Sequence, residues 1–236
     1  MLYTNQIGAL GSVSVGFLHS ATFSVLDSAQ VSSFNTQAVH MMSSSQINQI
    51  DSSAIMGFSD TQISAMGSND LGKGLSSLQL DALFTSAIGG FDSGSIGLMN
   101  SAMFKVLDSA QLAEFTTRSV NVMTSNQINL MKSTAIVGLT TKQIVAMNSI
   151  GLGAGLNSRQ VDMLYTNQIG ALGSVSVGFM HSATFAVLDS AQVSSFNTQA
   201  VNQFTSNQVN KILSTAITCP LYTSPSPRDL STSRMP

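Results

Sequence analysis

Apolar residues return along this chain at alternating gaps of three and five. Ile7 and Leu10, Val15 and Leu18, Phe23 and Leu26, Val31 and Phe34 are the first four pairs, and they mark the fifth and eighth places of an eight-residue repeat. The clearest copy is 27–34, Asp-Ser-Ala-Gln-Val-Ser-Ser-Phe. Read from Tyr3 in steps of eight, with a ninth residue at 67–75 and at 148–156, the pattern holds to Ile217. The second place is Ser or Thr in every octad except one, where Asp60 stands in. The fifth is Ile, Val, Leu or Phe, and the eighth is Leu, Met, Ile or Phe until Pro220.

That spacing excludes the two simplest elements. A continuous helix turns about 100° per residue, so an eight-residue period overshoots two turns and winds the apolar stripe around the helix. A strand fails as well, because a gap of three places the two apolar side chains on opposite faces of the pleat. What satisfies both gaps is one short helix per octad, capped by the Ser or Thr at the second place and ending near the large apolar eighth residue. Helices this short do not persist alone, so stacking must stabilise them. Fixed-period self-similarity then predicts an all-α solenoid. The fourth place sharpens the expectation: Gln30, Ala38, Gln46, Ala54 and Gln62 alternate Gln with a small residue, and Gln111, Ser119, Gln127, Ala135 and Gln143 repeat the alternation. Alternation predicts two octads per coil, with the Gln helices in one row, and thirteen coils in a rod on the order of 100–130 Å long. The alternative is a β-solenoid with three octads per triangular coil. Sixth-place residues such as Asn129 are expected to face outward.

A longer repeat overlies the octad. Residues 3–83, 84–164 and 165–218 align as units of ten octads plus one residue, the third truncated, and 3–39 differs from 165–201 only at Leu18/Met180 and Ser24/Ala186. The array 1–218 therefore reads as one body without an internal boundary. Met1 to Gln6 recurs as Met163 to Gln168, so Met1 reads as an internal methionine of a longer repeat. Residues 219–236 match nothing else in the chain and hold all four prolines and the single Cys, Cys219. They resemble a translated sequencing-adapter read-through of the kind that ends metagenomic gene models, and are expected to be a non-native or disordered tail.

Composition narrows the function. In 236 residues, 43% are hydrophobic but only 8% are charged, and the net charge is −2. There is no basic footprint for nucleic acid, no Trp to anchor a hot spot,, and no apolar run of a length that spans a membrane. One Cys allows neither an internal disulfide nor a thiolate metal cluster.

Motifs with a chemical reading have plainer explanations. Gly67-Ser-Asn-Asp-Leu-Gly72-Lys73-Gly74 nearly spells a phosphate-binding loop, but Gly74 stands where magnesium needs Ser or Thr, and its counterpart 148–155 lacks the Lys,. Both read as Gly-rich nine-residue octads that bend the solenoid once per unit, and Gly151-Leu-Gly153-Ala-Gly155 lacks the βαβ context of a dinucleotide fingerprint. His19 and His181 precede Ser20 and Ser182, yet the middle unit has Asn100 there, so they read as solvent-facing turn residues,. Asp27, Asp51, Asp92, Asp108 and Asp189 share the first place as isolated carboxylates suited to helix N-termini,. Met42, Met66, Met99 and Met131 read as core,. A ladder of second-place hydroxyls would suit a sugar or ice surface, but capping accounts for them. No catalytic, cofactor or metal residue is assigned, and the chain is not expected to be an enzyme.

The octad Ser/Thr-x-Gln-Ile-x-x-Leu resembles the Ser/Thr-Gln repeats of long exported bacterial proteins of haemagglutinin or adhesin type. The resemblance implies a spacer at the cell surface or outside the cell, with neighbouring repeats and flanking domains of the parent chain as its partners; the uncapped ends of a solenoid are separately expected to be prone to self-association. The alternative is a binding module that uses one face of the solenoid for a carbohydrate, ice or protein ligand.

Overall fold

A computed structural model describes residues 3–213 together with 216 and 217. Residues 218–236, including Cys219 and all four prolines, lie outside the described residues, and so does the expectation about the tail. Among the described residues there is no strand, and 26 helices follow one another, 23 of them α and three 3-10. From 3 to 212 every octad contributes one helix, four to seven residues long. The chain is an all-α solenoid.

The octad dictates each helix in the same way. The first residue is extended, as Asp27 is at φ −96°, ψ 172°, and the Ser or Thr at the second place is the first helical residue. The helix ends one to three residues before the last place of its octad, and that last residue is extended again in helices such as Ser44–Gln49, where Ile50 has φ −66°, ψ 128°. Two extended residues at the eighth and first places therefore form each corner. Side chains at the fourth, fifth and eighth places point inward and are buried, as in Gln127, Ile128 and Met131. A single core runs from Ile7 to Ala200. Each fifth-place side chain such as Ile128, Val161 or Phe185 is worth about 1.5–3 kcal/mol of burial,.

The number of octads per coil differs from the expectation. Helices pack against the third helix before and after them: Ser12–Phe17 on Thr36–His40, Thr36–His40 on Asp60–Ala65, Ser109–Glu114 on Ser133–Ile136. A coil is three octads, not two, so the 26 octads make eight coils and two further octads. At helix spacings of about 8–10 Å the rod is roughly 70–90 Å long, shorter than two-octad coils require. Nor do the Gln helices form one row. Alternation by two on a three-sided coil puts Gln on every side, as Gln30, Gln46 and Gln62 show, and no side carries Gln in every coil.

The cap also sits one residue earlier than expected. Asp, Ser, Thr or Asn at the first place accepts the cap bond, as Asp27 does from the Gln30 N–H at 2.8 Å. The second-place Ser or Thr is instead the first residue inside the helix; serines such as Ser28, Ser44 and Ser125 are half-buried where the next coil crosses them, whereas threonines such as Thr36, Thr85 and Thr117 are exposed. Built onto Gly74 or Gly155, a Cβ would lie 2.8 Å from the backbone oxygens of Ser44 and Ser125, both second-place residues.

Candidate functional surface

The buried fourth-place glutamines are the polar feature that the fold positions most carefully. Gln46 shows the geometry. Its Oε1 accepts from the Ser43 N–H at 2.8 Å, the return bond of a capping box within its own octad,. Its Nε2 donates to the carbonyls of Val15 at 2.9 Å and Leu18 at 2.8 Å, in the preceding coil. Those carbonyls close the second octad, just where its helix has run out of amide partners. The same tie recurs at Gln127 to Ile96 and Met99, at Gln143 to Leu112 and Phe115, and at Gln208 to Val177 and Met180. Across a nine-residue octad the separation grows by one, as in Gln160 to Ile128 and Met131. Where Ser replaces Gln, the Ser119 hydroxyl reaches the Phe91 carbonyl directly at 2.6 Å. Small fourth-place residues such as Ala54 and Ala135 fill the same buried position without a tie.

The sequence carried a signal for this. In ten octads the first and fourth residues form the reciprocal capping pair, from Asp27/Gln30 and Ser43/Gln46 to Asp189/Gln192 and Thr205/Gln208. Asn129 is exposed, as expected of an outward sixth place, and sixth-place residues tie coils as well. The Asn129 Nδ2 donates to the Gly155 carbonyl at 3.2 Å, and Asn121 likewise reaches the Ala146 carbonyl at 2.6 Å. Among the described residues no buried side-chain nitrogen or oxygen lacks a partner.

The motifs with a chemical reading are dispersed by the fold. The stretch that resembles a phosphate-binding loop is the helix Ser68–Gly74, one residue longer than its α-helical neighbours of six, so the ninth residue is taken up as helix. Its glycines let coils approach: a Cβ on Gly72 would lie 2.6 Å from the Ser95 oxygen in the next coil, and one on Gly74 would lie 2.8 Å from Ser44 in the previous one. The counterpart helix, Ser149–Gly155, sits one side further round, so the two insertions do not bend the rod in a common direction.

His19 is the cap of a 3-10 helix, its Nδ1 accepting from the Ala21 N–H at 3.3 Å; His181 caps the equivalent helix position without a side-chain bond. Asp27, Asp108 and Asp189 each accept from the amide of their octad's Gln. Asp51 is held below the usual carboxylate range by the hydroxyl and N–H of Ser53. At Asp92 partial burial pushes the carboxyl up, but bonds from Ser68 and Ser95 outweigh it and the net direction is down. Among the described residues no three of His, Cys, Asp and Glu gather where a metal ion would sit. Met42, Met66, Met99 and Met131 are buried in the core.

The outer surface consists mainly of first-, third-, sixth- and seventh-place residues. Its apolar members recur with the long unit: Phe17, Leu98 and Phe179 are exposed seventh-place residues 81 positions apart. Ten octads are three coils and one octad, so these three point to the three different sides of the rod. Shallow grooves recur in the same way, one around Ser12, Gln37 and His40 and another around Ser93, Arg118 and Asn121. Among the described residues no helix is long and apolar enough to cross a membrane. No model of a known protein family matches the chain, and no curated protein matches it either.

Proposed function

We propose that this chain is a structural spacer, a rod without catalytic activity that sets a distance between other parts of an exported surface or secreted protein of adhesin type. One observation supports the reading above others. A residue that recurs once per unit of ten octads moves one third of a turn around the rod at each recurrence, so lengthening the array by units builds distance and does not build one continuous face. A binding module needs the opposite, a row of equivalent side chains along one side. The second-place hydroxyls do not form the uniform row that would suit sugar or ice: Ser28, Ser44 and Ser125 are half-buried beneath the next coil, whereas Thr36, Thr85 and Thr117 are exposed. His19 is taken up as a helix cap and the phosphate-loop candidate 68–74 as close-packed helix, which supports a non-catalytic role.

The test is to place the chain between a surface anchor and a reporter epitope and to compare it with a form lacking residues 84–164. The spacer reading expects the epitope height to fall by roughly 30 Å, the rise of three and one third coils at about 9 Å each. It also expects no retention on glycan arrays or at an ice interface. An unchanged height, or specific retention by a glycan, would argue for the one-face binding module.

A further inference from the structure

One side of the rod is apolar on its outer surface across five consecutive coils. That side stacks the helices Ser77–Ala82, Ser101–Lys105, Ser125–Leu130, Ser149–Gly155 and Ser174–Phe179 one on the next. In each of these octads the third-place residue and the one four later share the outer helix face. Of the ten residues so placed only Asn126 is polar, and Leu78, Ile150, Val175 and Phe179 are 74%, 53%, 50% and 51% exposed. Over the same coils the other two sides carry Glu114 and Arg159, or Arg118 and Lys142, at those places. Ser53 and Gly57 bound the stripe in the coil before it, and Gln199 and Gln203 in the coil after, so it lies inside the array. The unit repeat does not extend it, because counterparts 81 positions away lie on another side. An uncharged, exposed apolar face of this extent marks an interaction surface.

Its size suits a second copy of itself. A side of the coil is about 15 Å wide, the length of a six-residue helix and two extended corner residues. Five helices at about 8–10 Å then give a face on the order of 600–750 Å². Specific interfaces take about 600–1,000 Å² from each partner, so this face covered by its own copy is large enough to hold a dimer.

We infer that this face pairs two copies of the chain antiparallel, about a two-fold axis that runs along the middle helix Ser125–Leu130. That axis sets Leu78 against the partner's Val175, Ala82 against the partner's Phe179, Ala102 against the partner's Ile150 and Val106 against the partner's Ala154. Three of those four pairs oppose an alanine to a larger side chain, so ridges meet hollows. On the axis Asn126 meets the partner's Asn126, and each amide can both donate and accept,. The charged residues of the five octads, Asp81 and Lys105, fall at sixth places of the first two and so face the partner's octads 173–180 and 148–156, which carry no charge. Parallel pairing would instead lay each charge over the coil that bears its own kind. The antiparallel contact is isologous, so it stops at two copies. It runs along the rod and stands apart from the spacer reading.

The test uses the full chain with Cys219→Ser and substitutions at residues exposed in the single copy. Sedimentation velocity over a concentration series is expected to show a dimer. Ile150→Lys and Val175→Lys are each expected to weaken it at least about tenfold, since each sets an ammonium in the apolar contact twice per dimer. Phe17→Lys, on another side of the rod, is expected to leave the dimer unchanged. A spin label on Gln199→Cys, on the same side one coil beyond the stripe, reads the direction. Antiparallel pairing sets the two labels six coils apart, roughly 50 Å, whereas parallel pairing sets them about 10 Å apart. A parent chain that remains a monomer up to on the order of 100 µM overturns the proposal. So does association that Ile150→Lys and Val175→Lys leave unchanged, as association through the ends of the rod would be, or that Phe17→Lys weakens equally. Labels about 10 Å apart overturn the antiparallel register.

Discussion

A glutamine amide at the fourth place makes bonds in two directions, and the consequences are sharpest at single residues. Gln143 accepts from Thr140 and donates to Leu112 and Phe115 of the previous coil, and the whole group is buried. Glutamate has the same shape and keeps the capping bond, but it has no donor for those carbonyls and brings a charge into the core. Gln143→Glu is therefore expected to cost about 2–4 kcal/mol in urea unfolding, while Lys142→Gln on the exposed surface changes stability by less than about 0.5 kcal/mol. Ile128→Asp, at a buried fifth place, is expected to be at least as damaging, with Asn126→Asp at an exposed third place as its neutral control,. Acid sensitivity follows from Asp51 and Asp92, whose folded carboxyls titrate below the ordinary 3.8. A depressed folded pKa contributes stability above the unfolded value and loses it as pH falls through the folded one. The fold should therefore weaken below about pH 4, and Asp92→Asn should reduce that loss in a pH series of thermal melts.

At the scale of one helix, the length of the element is set by its ends and its tightness by its glycines. Gly138 lies against the backbone of Ser109 so closely that an added Cβ would collide with the Ser109 carbonyl, a rigid neighbour. Gly97, in the helix Ser93–Leu98, has nothing within 4 Å of its ideal Cβ. Gly138→Ala is expected to destabilise by about 1–3 kcal/mol and Gly97→Ala to stabilise by about 0.5–1 kcal/mol. Melting temperatures that move in the same direction for both would refute the close-approach account. Much of this element was readable in advance. The gaps of three and five fixed helix and inward face together, since only a short helix satisfies both. The cap was misplaced by one residue because the Ser or Thr at the second place is nearly invariant, whereas the capping residue at the first place varies among Asp, Asn, Ser and Thr. The reciprocal spacing of Ser43 to Gln46 or Asp108 to Gln111 held the better signal, since a capping box pairs residues three apart,.

For the whole molecule, the number of octads per turn was the step that the octad pattern did not contain. Ile, Leu and Met at the fifth and eighth places face inward whether two or three octads close the coil, so periodicity leaves the count open. Alternation of Gln with Ala suggested two. The count of three shows in the reach of glutamines such as Gln46, Gln127 and Gln143 to carbonyls four octads back, one full coil and a corner away, as from Gln46 to Leu18. No single-octad feature encodes that distance. The surface follows from the same count, because ten octads per unit on three sides carries Phe17, Leu98 and Phe179 round the rod. The most direct test of the three-octad coil is the distance between third-place residues, measured by dipolar broadening between spin labels in a Cys219→Ser background. Labels at Ala110 and Thr134, three octads apart, are expected to sit one helix spacing from each other, about 10 Å before linker length,. Labels at Ala110 and Asn126, two octads apart, belong to different sides and are expected to lie clearly further apart. If the 110–126 pair proves the closer of the two, the coil holds two octads and the account of the Gln ties fails with it.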